Sequence, residues 1–103
     1  MSKLRRYTTT NAIFFVTAVT HNRTPHLSRH ADTFREALRR QSGAHSAIIH
    51  AWVALPDHFH LLIELQKTPL DKFMHALKLS FSSLLSRKLG RPAGRVWQHR
   101  YWD

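Results

Sequence analysis

The stretch from Trp52 to Gln66, WVALPDHFHLLIELQ, decides how this chain is read. Its centre is Pro56-Asp57-His58-Phe59-His60, preceded by an apolar run from Ile48 to Leu55 and followed by a second from Leu61 to Leu65. Two short apolar runs joined by a Pro-Asp turn predict an antiparallel hairpin. Side chains on a strand alternate between faces, so a second strand beginning near Asp57 points His58 and His60 the same way, with Cα atoms roughly 6–7 Å apart. Two imidazoles at that spacing can converge on one cation. Phe59, Leu61, Ile63 and Leu65 then face a core, and Leu62 and Glu64 share the histidine side. Glu64 is a weaker candidate, either as a ligand or as a group that orients a histidine. The chain contains nine histidines, so a His-x-His pair alone carries little weight. The strand start, the preceding turn and the apolar opposite face are what single this pair out.

Working outward, Asn11 to Thr20 is rich in Phe, Val, Ile and Thr and predicts a strand. Its apolar residues fall on both faces, which places it centrally in a sheet. His21 to Leu27 reads as a turn containing Asn22, Arg23 and Pro25. Ser28 to Gln41 reads as a helix capped by Ser28, with Ala31, Phe34, Ala37 and Leu38 at helical spacing and Gly43 ending it. Thr68-Pro69 reads as the start of a second helix with Thr68 as cap, and Gly90 stops it. Its stripe of Leu70, Phe73, Leu77, Phe81, Leu84 and Leu85 suits a core, with Lys72, Lys78, Arg87 and Lys88 off the stripe. A basic loop, Arg91 to Arg95, leads into a last strand from Val96 to Tyr101. The order strand, helix, strand, strand, helix, strand predicts an α+β fold, the split βαβ (βαββαβ) sandwich of ferredoxin-like and RRM-like domains. In it an antiparallel sheet carries two helices on one face and leaves the histidine face open.

The 103 residues make a single domain, and the formal net charge of +10 suits a polyanionic partner. No apolar run reaches the roughly 20 residues of a membrane span, and no signal peptide is legible, which argues for a cytoplasmic protein with no membrane partner. There is no cysteine, hence no disulfide framework and no thiolate metal site. Near the C-terminus Trp97, Tyr101 and Trp102 stand beside Arg95, His99 and Arg100, a mixture suited to stacking on single-stranded bases, although Trp97 serves equally as core. Trp52 shares the parity of His50 and would border the histidine face if the strand is regular, with buried packing the simpler role.

Several stretches together resemble one family. Trp52 to Ile63 is similar to the HUH segment (His, bulky apolar, His) of bacterial single-tyrosine transposases, above all the REP-associated tyrosine transposases, whose usual form is Val-Val-Met-Pro-Asn-His-Val-His-Leu-Leu. This chain departs from it mildly, at Leu55, Asp57 and Phe59. Phe14 to Thr17 with His21-Asn22-Arg23 resembles the family's first strand and turn, Leu70 to Leu85 its second helix with Met74 and Lys78, and Val96 to Asp103 its Val-Trp-Gln-x-Arg-Tyr-Tyr-Asp segment. The resemblance implies that His58 and His60 hold one divalent cation, Mg²⁺ or Mn²⁺. It further implies cleavage and transfer of single-stranded or hairpin DNA through a 5′-phosphotyrosine. Arg5, Arg6, Arg23, Lys78, Arg95 and Arg100 are the candidate DNA contacts. The family's nucleophilic tyrosine and a third ligand lie on a later helix. Tyr101 matches the strand motif instead, so residues 1–103 are expected to form one HUH domain without that helix, cleavage-deficient as it stands. A homodimer that exchanges the tyrosine helix, as in some relatives, stays open.

A second reading is a non-catalytic RRM-like module for RNA or DNA, which needs Phe59 to face outward. A third is a regulator that occupies hairpin sites without cutting.

Overall fold

A computed structural model describes residues 12–102. Strand β1 (Ala12–Thr20) leads through a 3-10 turn (His21–Arg23) to a short helix α1 (His26–Arg29) and then α2 (Ala31–Ala44). The hairpin β2 (Ile48–Leu55) and β3 (His58–Leu65) follows, then α3 (Leu70–Leu89) and β4 (Trp97–Trp102). The four strands form one sheet in the order β2-β3-β1-β4, with antiparallel pairing throughout. β1 is central, as its two-sided apolar pattern predicts. The expected α+β architecture is the one observed.

The core lies between the sheet and the helices. β3 alternates strictly, burying Phe59, Leu61, Ile63 and Leu65, while β1 buries Phe14, Val16 and Ala18 on the same side. Phe34 of α2 meets Phe59 at 4.8 Å between ring centroids and Phe81 of α3 at 6.0 Å, which ties both helices to one sheet face. Trp97 is 7% exposed and its rings meet Phe59 and Phe81, so its place is in the core. Phe59 is fully buried, which removes the outward Phe59 required by the RRM-like reading.

Several boundaries differ from the sequence reading. The first helical region is broken at His30, whose backbone (φ −133°, ψ 47°) separates α1 from α2. Ser28 is therefore not a cap, and its hydroxyl donates to Pro25 O. Ala31 opens α2 and is exposed, with Thr33 buried in its stead. Gly43 lies inside α2 because nothing there forces a positive φ and the helix runs on to Ala44. Thr68 does not cap α3, since its hydroxyl lies 3.2 Å from His45 Nδ1. Gly90 does end α3, at φ 72°, a left-handed position where a Cβ is disfavoured.

Candidate functional site

The open face of the sheet is built by residues one position out of phase with the core. β3 contributes His58, His60, Leu62 and Glu64, and β1 contributes Ile13, Phe15, Thr17 and Val19. Register then sets the neighbours: Val53, His60, Thr17 and Trp102 lie in one row across all four strands, and Leu55, His58 and Val19 in the next.

The two expected histidines come together. Their rings meet edge to face with centroids 5.0 Å apart and an interplanar angle of 82°. His58 Nδ1 donates to Asp57 Oδ1 at 2.8 Å, and His60 Nδ1 lies 2.8 Å from Thr17 Oγ1. Phe15 stacks on the His60 ring at 5.5 Å and 12°. Asp57 in turn accepts from Arg23 Nη1 at 3.3 Å through its other oxygen. The hydrogen bonds from His58 and Arg23 hold the Asp57 carboxyl below its ordinary pKa. The turn beneath is clamped from β1: Thr20 N donates to Asp57 O at 2.9 Å, and the buried Thr20 hydroxyl bridges Asp57 O (3.1 Å) and Thr24 O (2.8 Å). Leu27 N donates to Pro56 O at 3.1 Å. Asn22 and Arg23 both adopt left-handed backbone (φ 55° and 53°), which brings the Arg23 guanidinium back to Asp57.

Both rings are thus held through Nδ1, the usual way in which a ligating imidazole is oriented so that Nε2 is offered to a cation. A cation about 2.1 Å from Nε2 lies roughly 3.3 Å from the ring centre, so two rings sharing one cation have centroids roughly 4.5–6.5 Å apart. The observed 5.0 Å fits. Among the described residues no group of three or more His, Cys, Asp or Glu gathers to hold a metal. Glu64 is turned to His50 Nε2 at 3.0 Å and not to the pair. Such a site leaves most coordination positions to water or to ligand oxygens.

The remaining expectations separate. Arg23 is largely exposed and tied to Asp57. Arg95 Nε donates to Trp97 O at 3.4 Å, and Arg100 is exposed on β4. Arg5 and Arg6 lie outside the described residues. Lys78 departs from the role of a free DNA contact: its half-buried ammonium donates to Gln98 O at 2.9 Å, and burial lowers its pKa. It lines a cleft of about 350 Å³ between α3 and β4 together with Asp71, Trp97 and Tyr101. Tyr101 pairs with Ala18, on the helix side of the sheet, and its hydroxyl donates to Asp71. Trp52 also leaves the histidine face. A bulge between Ile49 and Ala51 breaks the parity, so His50 reaches Glu64 on the open side while Trp52 packs on Phe34 at 5.6 Å beneath Arg35. Sequence reading missed Thr17 and Phe15, which reach His60 only through the β1–β3 register. Their period-two spacing with Ile13 and Val19 was the available signal.

The fold and site define a basic α+β domain with an oriented histidine pair on an uncovered sheet face. The chain belongs to the IS200-like transposase family, whose sequence model, described as "Transposase IS200 like", matches residues 8–103. It is 30% identical over 116 residues to a protein of Haemophilus influenzae described as a REP-associated tyrosine transposase, covering 100% of this chain and 65% of that one. It is similar to the solved structure of a REP-associated tyrosine transposase bound to a REP hairpin, with a TM-score of 0.77, 26% identity, and coverage of 99% of this chain and 60% of that one. A crystal structure from Deinococcus radiodurans described as a transposase is also similar, with a TM-score of 0.75, 25% identity, and coverage of 99% and 83%. The chain therefore spans under two thirds of the length of the first relatives in each comparison. No described helix is long and apolar enough to cross a membrane.

Proposed function

We propose that this chain is the metal- and DNA-binding part of a transposase that acts on single-stranded or hairpin DNA of the REP type, from the cytoplasm of a bacterium. The observation that carries this reading is the pair His58 and His60, each fixed through Nδ1 and 5.0 Å apart on the open face. Family membership and the likeness to a relative solved with a REP hairpin support the choice of ligand. His58 and His60 would hold Mg²⁺ or Mn²⁺ through Nε2. When bound, that ion polarises a phosphate and offsets charge that develops on it during displacement. Asp57 and Thr17 keep the two rings turned for that task, and the basic surface gathers the strand. A tyrosine would take the scissile phosphate as a 5′-phosphotyrosine. Tyr101 is not that tyrosine, because it sits on the helix side with its hydroxyl on Asp71; Tyr7 lies outside the described residues.

Thermal unfolding tests the metal site. Mn²⁺ or Mg²⁺ at 100 times its dissociation constant should stabilise the chain by about 2.7 kcal/mol. The double variant His58→Ala, His60→Ala should lose that response. Absence of any metal-linked shift in the unsubstituted chain would defeat the assignment. A DNA adduct that survives denaturation, and is lost in Tyr101→Phe, would overturn the role given to Tyr101.

A further inference from the structure

The open face is apolar as well as histidine-bearing. Ile13 and Phe15 are 58% exposed, Val53 49% and Trp102 38%, with Leu55 alongside. Exposure on this scale at the centre of a sheet calls for an occupant. Phe15 and Trp102 are diagonal neighbours across β1 and β4, because Thr17, two residues on from Phe15, pairs with Trp102. Diagonal positions lie roughly 7–8 Å apart, within reach of aromatic side chains. One face of the Phe15 ring lies nearly parallel against His60. The rest of the side chain is open to solvent.

We infer that Phe15 and Trp102 form a stacking platform for two unpaired nucleobases of a single strand, beside His58 and His60. This rests on the single-strand reading above. A base laid on Phe15 extends the His60–Phe15 stack by one plane. The strand's backbone then runs past the histidine pair, and the row His60, Thr17, Trp102 fixes how far the second base lies from it. Nucleobases fit this face better than a polypeptide does, for two reasons. Both exposed aromatics are flat, and Phe15 already lies nearly parallel to the His60 ring. The chain's charge of +10 favours a polyanion. Base–aromatic stacking tolerates any sequence because every base has a π-face. The platform would therefore place the strand without reading it.

The test uses the 103-residue chain and a short unpaired oligonucleotide with 2-aminopurine or an abasic site stepped along it. Phe15→Leu keeps an exposed apolar side chain at that position and should preserve the fold, as circular dichroism would verify. It should weaken binding by about 5- to 100-fold. The penalty for an abasic site at one position should vanish in this variant, and Phe15→Trp should restore both. Trp102→Leu should erase the penalty at a neighbouring position, with Trp102→Phe restoring it. Binding and abasic profiles unchanged in Phe15→Leu and Trp102→Leu would overturn the platform and leave the functional reading standing. A chain that binds no single strand at all would sink both together. Concentration-dependent dimers by sedimentation, dissolved by Phe15→Glu, would assign the face to a second copy and overturn the platform.

Discussion

At the residue scale, what distinguishes the site is how each imidazole is held. Asp57 gives His58 a charge-assisted acceptor at 2.8 Å, and Arg23 holds the far carboxylate oxygen. The partner that orients a ligating histidine is worth roughly 10- to 100-fold in metal affinity. Asp57→Ala should cost that much in Mn²⁺ binding, measured by calorimetry or by paramagnetic resonance. Asp57→Asn should recover most of it, since an amide oxygen still accepts from Nδ1 and the resembling transposases carry Asn at this point. Full affinity in Asp57→Ala would show that the contact is incidental. Both histidines were legible in the sequence from their alternation with Phe59 and Leu61. The partner of His60 was not, because Thr17 is 43 residues away and meets it only across the β1–β3 ladder.

At the scale of elements, the β2–β3 turn is held by β1. Thr20 is buried and its hydroxyl spans two carbonyls, Thr24 O and Asp57 O. Thr20→Val keeps the shape and removes the hydroxyl donor; Thr20 N still donates to Asp57 O and His26 N to Thr24 O, so the loss is that of one net hydrogen bond, about 0.5–1.5 kcal/mol. Urea unfolding should register that loss, and amide exchange should quicken at Asp57 and His58 before it does in α3. Uniform exchange across the chain would contradict a local clamp. The helices show where local signals mislead. Ser28, Gly43 and Thr68 all carry cap or stop chemistry, yet none bounds a helix: Ser28 bonds back to Pro25 O, α2 runs through Gly43, and the Thr68 hydroxyl meets the distant His45. His30 breaks the first helical region with no Pro or Gly to announce it. Counted back from the turn, regular pairing opposite Leu61 puts Trp52 on the core side, and the bulge between Ile49 and Ala51 is what lets His50, of the same parity, reach Glu64 on the other side.

At the scale of the whole molecule, charge sets the partner and the pH window. Glu36 accepts from both Arg39 and Arg40 on α2, and these hydrogen bonds lower its pKa from 4.5 to about 2. A carboxylate so depressed adds stability that is complete above 4.5 and lost as pH falls toward about 2. Glu36→Gln should therefore flatten part of the acid limb of unfolding between those values, by lowering stability slightly at neutral pH and leaving it unchanged near pH 2. An acid limb identical in the two proteins would rule the contribution out. Affinity for single-stranded DNA should fall with salt, with a log–log slope of about −0.7 per neutralised phosphate. Arg100→Ala should reduce the slope by about one such step if the exposed Arg100 meets a phosphate, and leave it unchanged if it does not.

The sequence alone determined the class of fold, the hairpin and the facing of β3, because strand alternation and turn chemistry are local properties carried by adjacent residues. It also determined the polyanion-seeking charge. Tertiary structure alone decided which side chains surround the histidines, that Lys78 of α3 turns to β4 and Tyr101 of β4 to α3, and that Phe15 and Trp102 share the histidine face. Those facts depend on strand register and on one bulge, and register is fixed by how two distant stretches bury their apolar sides together. No residue in either stretch encodes it by itself.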